Sequence, residues 1–125
     1  MPHLESRGRC IAPDLIGFGK SAKPGINYDY VDHYGYIEGF IEALDLKDIT
    51  LVLHDWGGGL GFNYAMRHQD NMCGVAFMEI FVRTFPSWDD WPQDLAEGFK
   101  QFRTEGVSWD LIVEQNVFKE QILPY

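Results

Sequence analysis

The chain has 125 residues, enough for one ordinary domain, and 46% of them are hydrophobic, which favours a packed core over intrinsic disorder. The formal net charge is −9, so the sequence lacks the cationic surface that a nucleic-acid-binding protein needs. We therefore expect a folded protein with an acidic, solvated surface and no nucleic-acid partner.

The first third of the chain predicts a strand, a loop and a helix. Residues 9–13 form a short apolar run that predicts a strand, and a loop rich in glycine and proline follows. Asp29 or Asp32 could then cap a helix. Its apolar face is predicted from spacings of four and three residues, at Tyr30, Tyr34, Ile37, Ile41 and Leu44.

The middle of the chain predicts two strands joined by a helix. Residues 49–53 are a continuous β-favouring run, which is typical of a strand buried on both faces of a parallel sheet. Consecutive glycines follow and open a helix that reaches about Gln69, and residues 73–78 predict the next strand. Alternating strands and helices of this kind predict an α/β architecture.

Beyond Arg83 the pattern becomes helical and aromatic. Ser87 is a candidate cap, Leu95, Phe99 and Phe102 form a helical stripe, and further short helices are predicted over residues 108–114 and near Phe118. We therefore divide the chain into a core of residues 1–82 and a helical segment of residues 83–125.

The remaining sequence features argue against several classes of protein. Cys10 and Cys73 lie in apolar runs and predict buried thiols, which favours a reducing, cytoplasmic location. We expect no signal peptide, and no apolar run reaches the ~18 residues of a membrane span. Gly19-Lys20-Ser21 resembles the end of a P-loop. A P-loop requires a glycine five residues before Gly19, and this chain has Asp14 there. No metal-ligand spacing is present, and neither a metal nor a cofactor is expected.

The segment Leu51-Val52-Leu53-His54-Asp55-Trp56-Gly57-Gly58 is the most informative part of the sequence. A buried strand runs directly into a glycine-rich helix start, which is the pattern of a nucleophile elbow. A carboxylate at the junction is ionised at neutral pH and needs no base for attack on a saturated carbon. The resulting ester must be hydrolysed by a base-activated water. The alternative is that Asp55 is only a helix cap.

The pentapeptide His54-Asp55-Trp56-Gly57-Gly58 resembles the elbow of haloalkane dehalogenases, and similar elbows occur in soluble epoxide hydrolases. Residues 9–21, 77–80, 87–92 and 115–118 also resemble the dehalogenases, so the similarity covers essentially the whole chain. The resemblance implies a partial α/β-hydrolase fold with part of a helical cap, as an internal fragment of such an enzyme.

The resemblance also implies roles for individual residues. Asp55 would be the nucleophile that carries an alkyl ester, and Trp56 would donate its indole N–H to the halide and its backbone N–H to the oxyanion. Glu79 would orient the catalytic histidine, with an ordinary surface carboxylate as the alternative. The apolar pocket for a small halogenated alkane, which reacts with water, would be lined by Trp91, Phe99 and Phe118, with core packing as the alternative.

In the family, the histidine base would follow Tyr125 and the second halide donor, an asparagine, would precede Met1. We expect His54 to be structural and to point away from the nucleophile, and we expect His33 and His68 to lie at the surface of helices, so that none of them, nor His3, is the base. The isolated chain is accordingly predicted to fold poorly and not to turn over.

Three other functions stay open. An epoxide hydrolase would use the same nucleophile but needs cap tyrosines, and residues 85–124 contain none. A coelenterazine luciferase of the sea-pansy type has a similar elbow and cap signature. A non-catalytic fragment is the third alternative. The preferred halide, the substrate size and the oligomeric state are not predicted.

Overall fold

The first helix begins at an aspartate cap. In the computed structural model, which describes residues 3–122, α1 spans Tyr30–Ala43, and the Asp29 carboxylate accepts a hydrogen bond of 2.9 Å from the backbone N–H of Asp32. Asp29 is therefore the cap. Tyr34 and Ile41 are buried, whereas Tyr30 and Leu44 at the ends of the predicted apolar face are 40% and 41% exposed.

Two strands joined by a helix form the centre of the first part of the chain. β1 (Ile49–His54) and β2 (Met72–Met78) pair in parallel, with Leu51 opposite Val75 and His54 opposite Met78. The connecting helix α2 spans Trp56–Arg67 and gives way to a 3-10 turn over Gln69–Asn71. The predicted order of strand, helix and strand is confirmed, and the helix ends two residues before the predicted end at Gln69.

The core lies between α1, α2 and one face of the sheet. Tyr34 and Ile41 from α1 pack with Leu60 and Tyr64 from α2, and side chains that include Ile49 and Leu51 border this cluster. The helix lies so close to β1 that a Cβ on Gly61 would be 2.3 Å from Leu53 Cδ2. Only glycine permits that distance without movement of the neighbouring side chain.

The prediction that β1 is buried on both faces is wrong. Exposure alternates along the strand, and Val52 is 62% exposed. The helices cover only one face in the described residues, and successive side chains of a strand point to opposite faces.

The predicted strand over residues 9–13 and the predicted burial of the cysteines are also wrong. Within residues 3–122 the sheet consists of β1 and β2, so residues 9–13 lack an adjacent strand to complete a hydrogen-bonded ladder. Cys10 and Cys73 are both exposed free thiols. Cys73 lies on β2, and its side chain points to the same side of the strand as that of the exposed Val75.

The chain divides into two compact units, Met1–Phe81 and Val82–Tyr125. In the second unit Ser87 caps a 3-10 helix over Trp88–Asp90, as predicted, through a capping box that it shares with Asp90. The helical segments that follow are α3 (Gln93–Phe102), α4 (Val107–Trp109), and π-helical turns over Asp110–Glu114 and Phe118–Ile122. No helix in the described part of the chain is both long and apolar enough to cross a membrane.

Candidate nucleophile elbow

Asp55 occupies a sharp turn between β1 and α2. Its backbone has φ 49° and ψ −127°, a combination that non-glycine residues rarely adopt, and its carbonyl accepts a hydrogen bond of 2.9 Å from the N–H of Gly58. The direction of the chain therefore changes at this single residue. A strained turn from a strand into a helix is the geometry that a nucleophile elbow requires, and Asp55 stays a candidate nucleophile.

The side chain of Asp55 does not act as a cap. Asp55 stands at the N-cap position of α2, yet its carboxylate makes no capping hydrogen bond, and the residue is exposed. The first N–H groups of a helix carry partial positive charge, which favours an anion beside them. The interpretation of Asp55 as a helix cap therefore fails, and its carboxylate is accessible to a small molecule.

Trp56 and Gly58 define the start of α2. Trp56 is its first residue, and its side chain is 61% exposed, an unusual environment for a large aromatic group next to a helix end. A Cβ on Gly58 would lie 2.6 Å from Ile80 Cγ2. The absent side chain at Gly58 thus allows the start of the helix to lie against the chain that leaves β2.

Glu79 comes directly after β2 and contacts the residue before the nucleophile. Parallel pairing places His54 opposite Met78, so Glu79 follows at the same end of the sheet. Its Oε2 accepts a hydrogen bond of 2.8 Å from His54 Nε2, since an ionised carboxylate can only accept. Carboxyl ends of parallel strands are where open α/β sheets bind ligands.

The contact between His54 and Glu79 was not predicted from the sequence. The two residues are 25 positions apart, and only the parallel register of the strands brings them together. The apolar runs of residues 49–53 and 73–78 predict the two strands but not how far one strand is shifted along the other.

His33 and His68 were predicted to lie at the surface of helices, and both are partly exposed and partly packed. His68 follows α2 and is half-buried; its Nε2 bonds to Glu38 at 2.7 Å, and its ring stacks on Tyr64 with centroids 4.3 Å apart. The ring centroid of His33 lies 6.0 Å from that of Phe18, and its Nδ1 is shielded from solvent. Both imidazoles make packing contacts within the first unit, and both residues stay partly exposed to solvent.

All three predicted pocket residues, Trp91, Phe99 and Phe118, lie in the second unit. The rings of Trp91 and Phe99 meet edge to face with centroids 5.4 Å apart, whereas Phe118 stacks on Phe102 at 5.6 Å and is 41% exposed. The structure therefore brings two of the three predicted pocket residues together by aromatic packing. Their role as pocket lining stays a prediction.

A groove of about 360 Å³ lies elsewhere, among residues that include Lys47, Tyr64 and Asn71. These residues adjoin the amino ends of β1 and β2, whereas Asp55 follows the carboxyl end of β1. Because ligands of parallel sheets bind at the carboxyl ends, we do not assign this groove to the site.

Comparison with known proteins shows the fold family of the chain. The family model for the alpha/beta hydrolase fold matches residues 1–118. A haloalkane dehalogenase of Mesorhizobium japonicum is 48% identical over 99% of this chain, and a coelenterazine h 2-monooxygenase of Renilla reniformis is 42% identical over 99%. The chain spans 40% of the length of each of these two relatives.

A solved structure is also similar to this chain in sequence and in fold. The crystal structure of a haloalkane dehalogenase from Bradyrhizobium elkani superposes with a TM-score of 0.82 at 42% identity, covering 94% of this chain and 40% of that protein. A family model that matches nearly the whole chain, together with a strand, a strained aspartate and a glycine-rich helix in the order of an elbow, identifies the chain as a member of the alpha/beta hydrolase fold family.

Proposed function

We propose that this chain carries the nucleophile of a haloalkane dehalogenase, an enzyme that hydrolyses a carbon–halogen bond to an alcohol and a halide. The observation that carries the proposal is an exposed, uncapped aspartate at the strained turn between β1 and α2. The identity to the Mesorhizobium dehalogenase supports it. The substrate is a small halogenated alkane, and the second reactant is water.

In the first step, a carboxylate oxygen of Asp55 attacks the carbon that bears the halogen. The new carbon–oxygen bond forms as the carbon–halogen bond breaks, and the halide leaves with the electron pair. A carboxylate is suited to this displacement because it needs no proton removed before attack. The product is an alkyl ester on Asp55 and a free halide.

Trp56 is the proposed halide ligand. Its indole N–H is a donor without acceptor capacity, which suits an anion, and its side chain is exposed beside the nucleophile. Its backbone N–H, at the amino end of α2, would stabilise the oxyanion when water attacks the ester.

In the second step, a base removes a proton from water as the water oxygen attacks the ester carbonyl, which releases the alcohol and restores the carboxylate. Glu79 is proposed to orient the histidine base, as in the family that the chain resembles. We further propose that Trp91, Phe99 and Phe118 line the apolar pocket, that a core of residues 1–82 carries the chemistry and residues 83–125 the cap, and that the protein is cytoplasmic.

The experiment that tests the nucleophile is intact mass spectrometry of the chain after incubation with 1-bromobutane. We expect the mass to increase by one butyl group, and peptide mapping to assign the group to Asp55. The Asp55→Asn variant should show no adduct. Asp48→Asn is the matched control, because Asp48 is also exposed, has a positive φ of 53° and adjoins the other end of β1. A failure of the wild-type chain to form the adduct would favour the non-catalytic alternative.

The second step predicts how much halide this chain releases. Because none of the four histidines in this chain is assigned as the base, we expect no more than one halide per chain, followed by a stalled ester. Continuous halide release that Asp55→Ala abolishes would contradict the stall and would require a base within these residues.

Two other activities are tested with the same protein. The monooxygenase from Renilla is 42% identical to this chain, so light emission with coelenterazine would favour an oxygenase on this scaffold. Opening of styrene oxide without reaction of 1-bromobutane would favour an epoxide hydrolase.

A further inference from the structure

We propose that His54 is a positioning residue that holds Glu79 in the orientation needed for ester hydrolysis, an inference that rests on the proposed dehalogenase function. The segment that supplies the nucleophile would then also supply the group that fixes Glu79, which orients the histidine base. Glu79 and His54 meet across adjacent strand ends, and Asp55 is the next residue along the chain.

The geometry requires a restraint on Glu79. Its side chain is 82% exposed, and its own backbone leaves β2 with φ 51°. Without a partner the exposed carboxylate would sample several rotamers. The bond of 2.8 Å from His54 Nε2 selects one of them. An imidazolium or imidazole N–H bonded to a carboxylate is a charge-assisted contact, which is stronger than a neutral one.

The two carboxylate oxygens of Glu79 have different roles in this proposal. His54 engages Oε2, and the structure shows no hydrogen bond at Oε1 among the described residues. Since each oxygen of a carboxylate accepts independently, Oε1 is left for the imidazole that activates water. His54 therefore acts through Glu79 and not on the substrate.

The test uses free imidazole as the base. The butyl ester is first formed on Asp55 and excess bromobutane is removed; the loss of the butyl group is then followed by intact mass at increasing imidazole concentration. We expect the wild-type decay rate to rise with imidazole. His54→Phe, which removes the donor, should lower that imidazole-dependent rate by about threefold, the size expected for one exposed charged pair. His54→Gln, which retains an N–H donor, should restore it.

Val52→Ala is the matched control, because Val52 lies on the same face of β1 two residues earlier and is exposed. Equal imidazole dependence in wild type, His54→Phe and His54→Gln, or no dependence in wild type, would overturn the inference while adduct formation kept the proposed function. Absence of the adduct itself would instead reject the proposed function.

A second measurement does not depend on variants that fold. In the chain labelled with ¹⁵N-histidine, at mildly alkaline pH, the His54 ring should carry its proton on Nε2, because that nitrogen must donate to Glu79. An Nδ1–H tautomer at His54 would overturn the inference.

Discussion

At the scale of single residues, the backbone is strained at Asp55, the residue that we propose as the nucleophile. Asp55 has φ 49° and ψ −127°, and comparable conformations cost about 1–3 kcal/mol for a residue with a Cβ. The turn persists because β1 and α2, on either side of it, are fixed by pairing and packing. Stability is thus lower than the chain could achieve with glycine at this position.

Asp55→Gly is therefore expected to increase the free energy of unfolding by about 1 kcal/mol, because glycine adopts this conformation without strain. The same variant should lose the butyl adduct. Asp55→Asn is the control, since it removes the charge and keeps the Cβ, and it should leave stability nearly unchanged. Urea denaturation followed by circular dichroism measures both. Equal unfolding midpoints for the glycine and asparagine variants would show that the turn is not strained.

The sequence alone made Asp55 a candidate nucleophile, but it did not predict the contact between Glu79 and His54. The order of an apolar run, an acid and consecutive glycines is local, so it is visible in the printed sequence. The contact of Glu79 with His54 depends on the shift between two strands, which the local pattern leaves open.

At the scale of elements, a polar network connects α1 to the end of α2. Glu38 Oε1 accepts hydrogen bonds of 2.7 Å from the Tyr34 hydroxyl and from His68 Nε2. The bond from His68, followed by the bond from Tyr34, lowers the pKa of Glu38 below its ordinary value of 4.5. Burial, and then the bond to Glu38, raises the pKa of Tyr34 to about 12.

These shifts predict how stability depends on pH. Because the folded-state pKa of Glu38 is lowered, its contribution is complete above about pH 4.5 and is lost as the pH falls through the lowered value. Tyr34 contributes with the opposite sign: its raised pKa gives stability that is complete below pH 10.0 and is lost as the pH rises toward 12.

Glu38→Gln should therefore destabilise the chain by about 1 kcal/mol at neutral pH, and the difference from wild type should shrink below about pH 4.5. Thermal melts at a series of pH values measure this difference. The control is Glu42→Gln, an exposed glutamate on the same helix, which should follow the wild-type curve. A constant difference between Glu38→Gln and wild type at every pH would contradict the role assigned to the network.

The elements predicted from sequence are those whose patterns are local. The apolar spacing of α1 is local and was predicted correctly apart from the ends of the apolar face. The cap is local too, and Asp29 is one of the two aspartates that were predicted as candidates. The strand over residues 9–13 and the burial of β1 on two faces required neighbours elsewhere in the fold. Such neighbours are absent from the described residues, so a sequence pattern that anticipates them predicts the wrong local structure.

At the scale of the whole molecule, the face of the sheet opposite α2 carries exposed apolar side chains. Val52 is 62% exposed and Met78 is 52% exposed. Both lie on this face, because Val52 pairs with Ala76 and Met78 is two residues farther along β2. Parallel sheets normally have both faces covered, and this chain spans 40% of the length of its Mesorhizobium relative. Exposed apolar strands with free edges favour association between chains.

Val52→Lys should therefore reduce self-association and the binding of an apolar fluorescent dye by the isolated chain, because it places a charge in the centre of this face. Val31→Lys is the matched control: Val31 is 73% exposed on α1, so the substitution changes the net charge equally but leaves the sheet face intact. Sedimentation velocity and dye fluorescence, at equal protein concentration, compare the two variants with wild type. If both lysine variants reduce association equally, net charge and not the exposed sheet face controls the solution behaviour of the chain. If only Val52→Lys reduces it, the uncovered face of the sheet is the surface through which the chains associate.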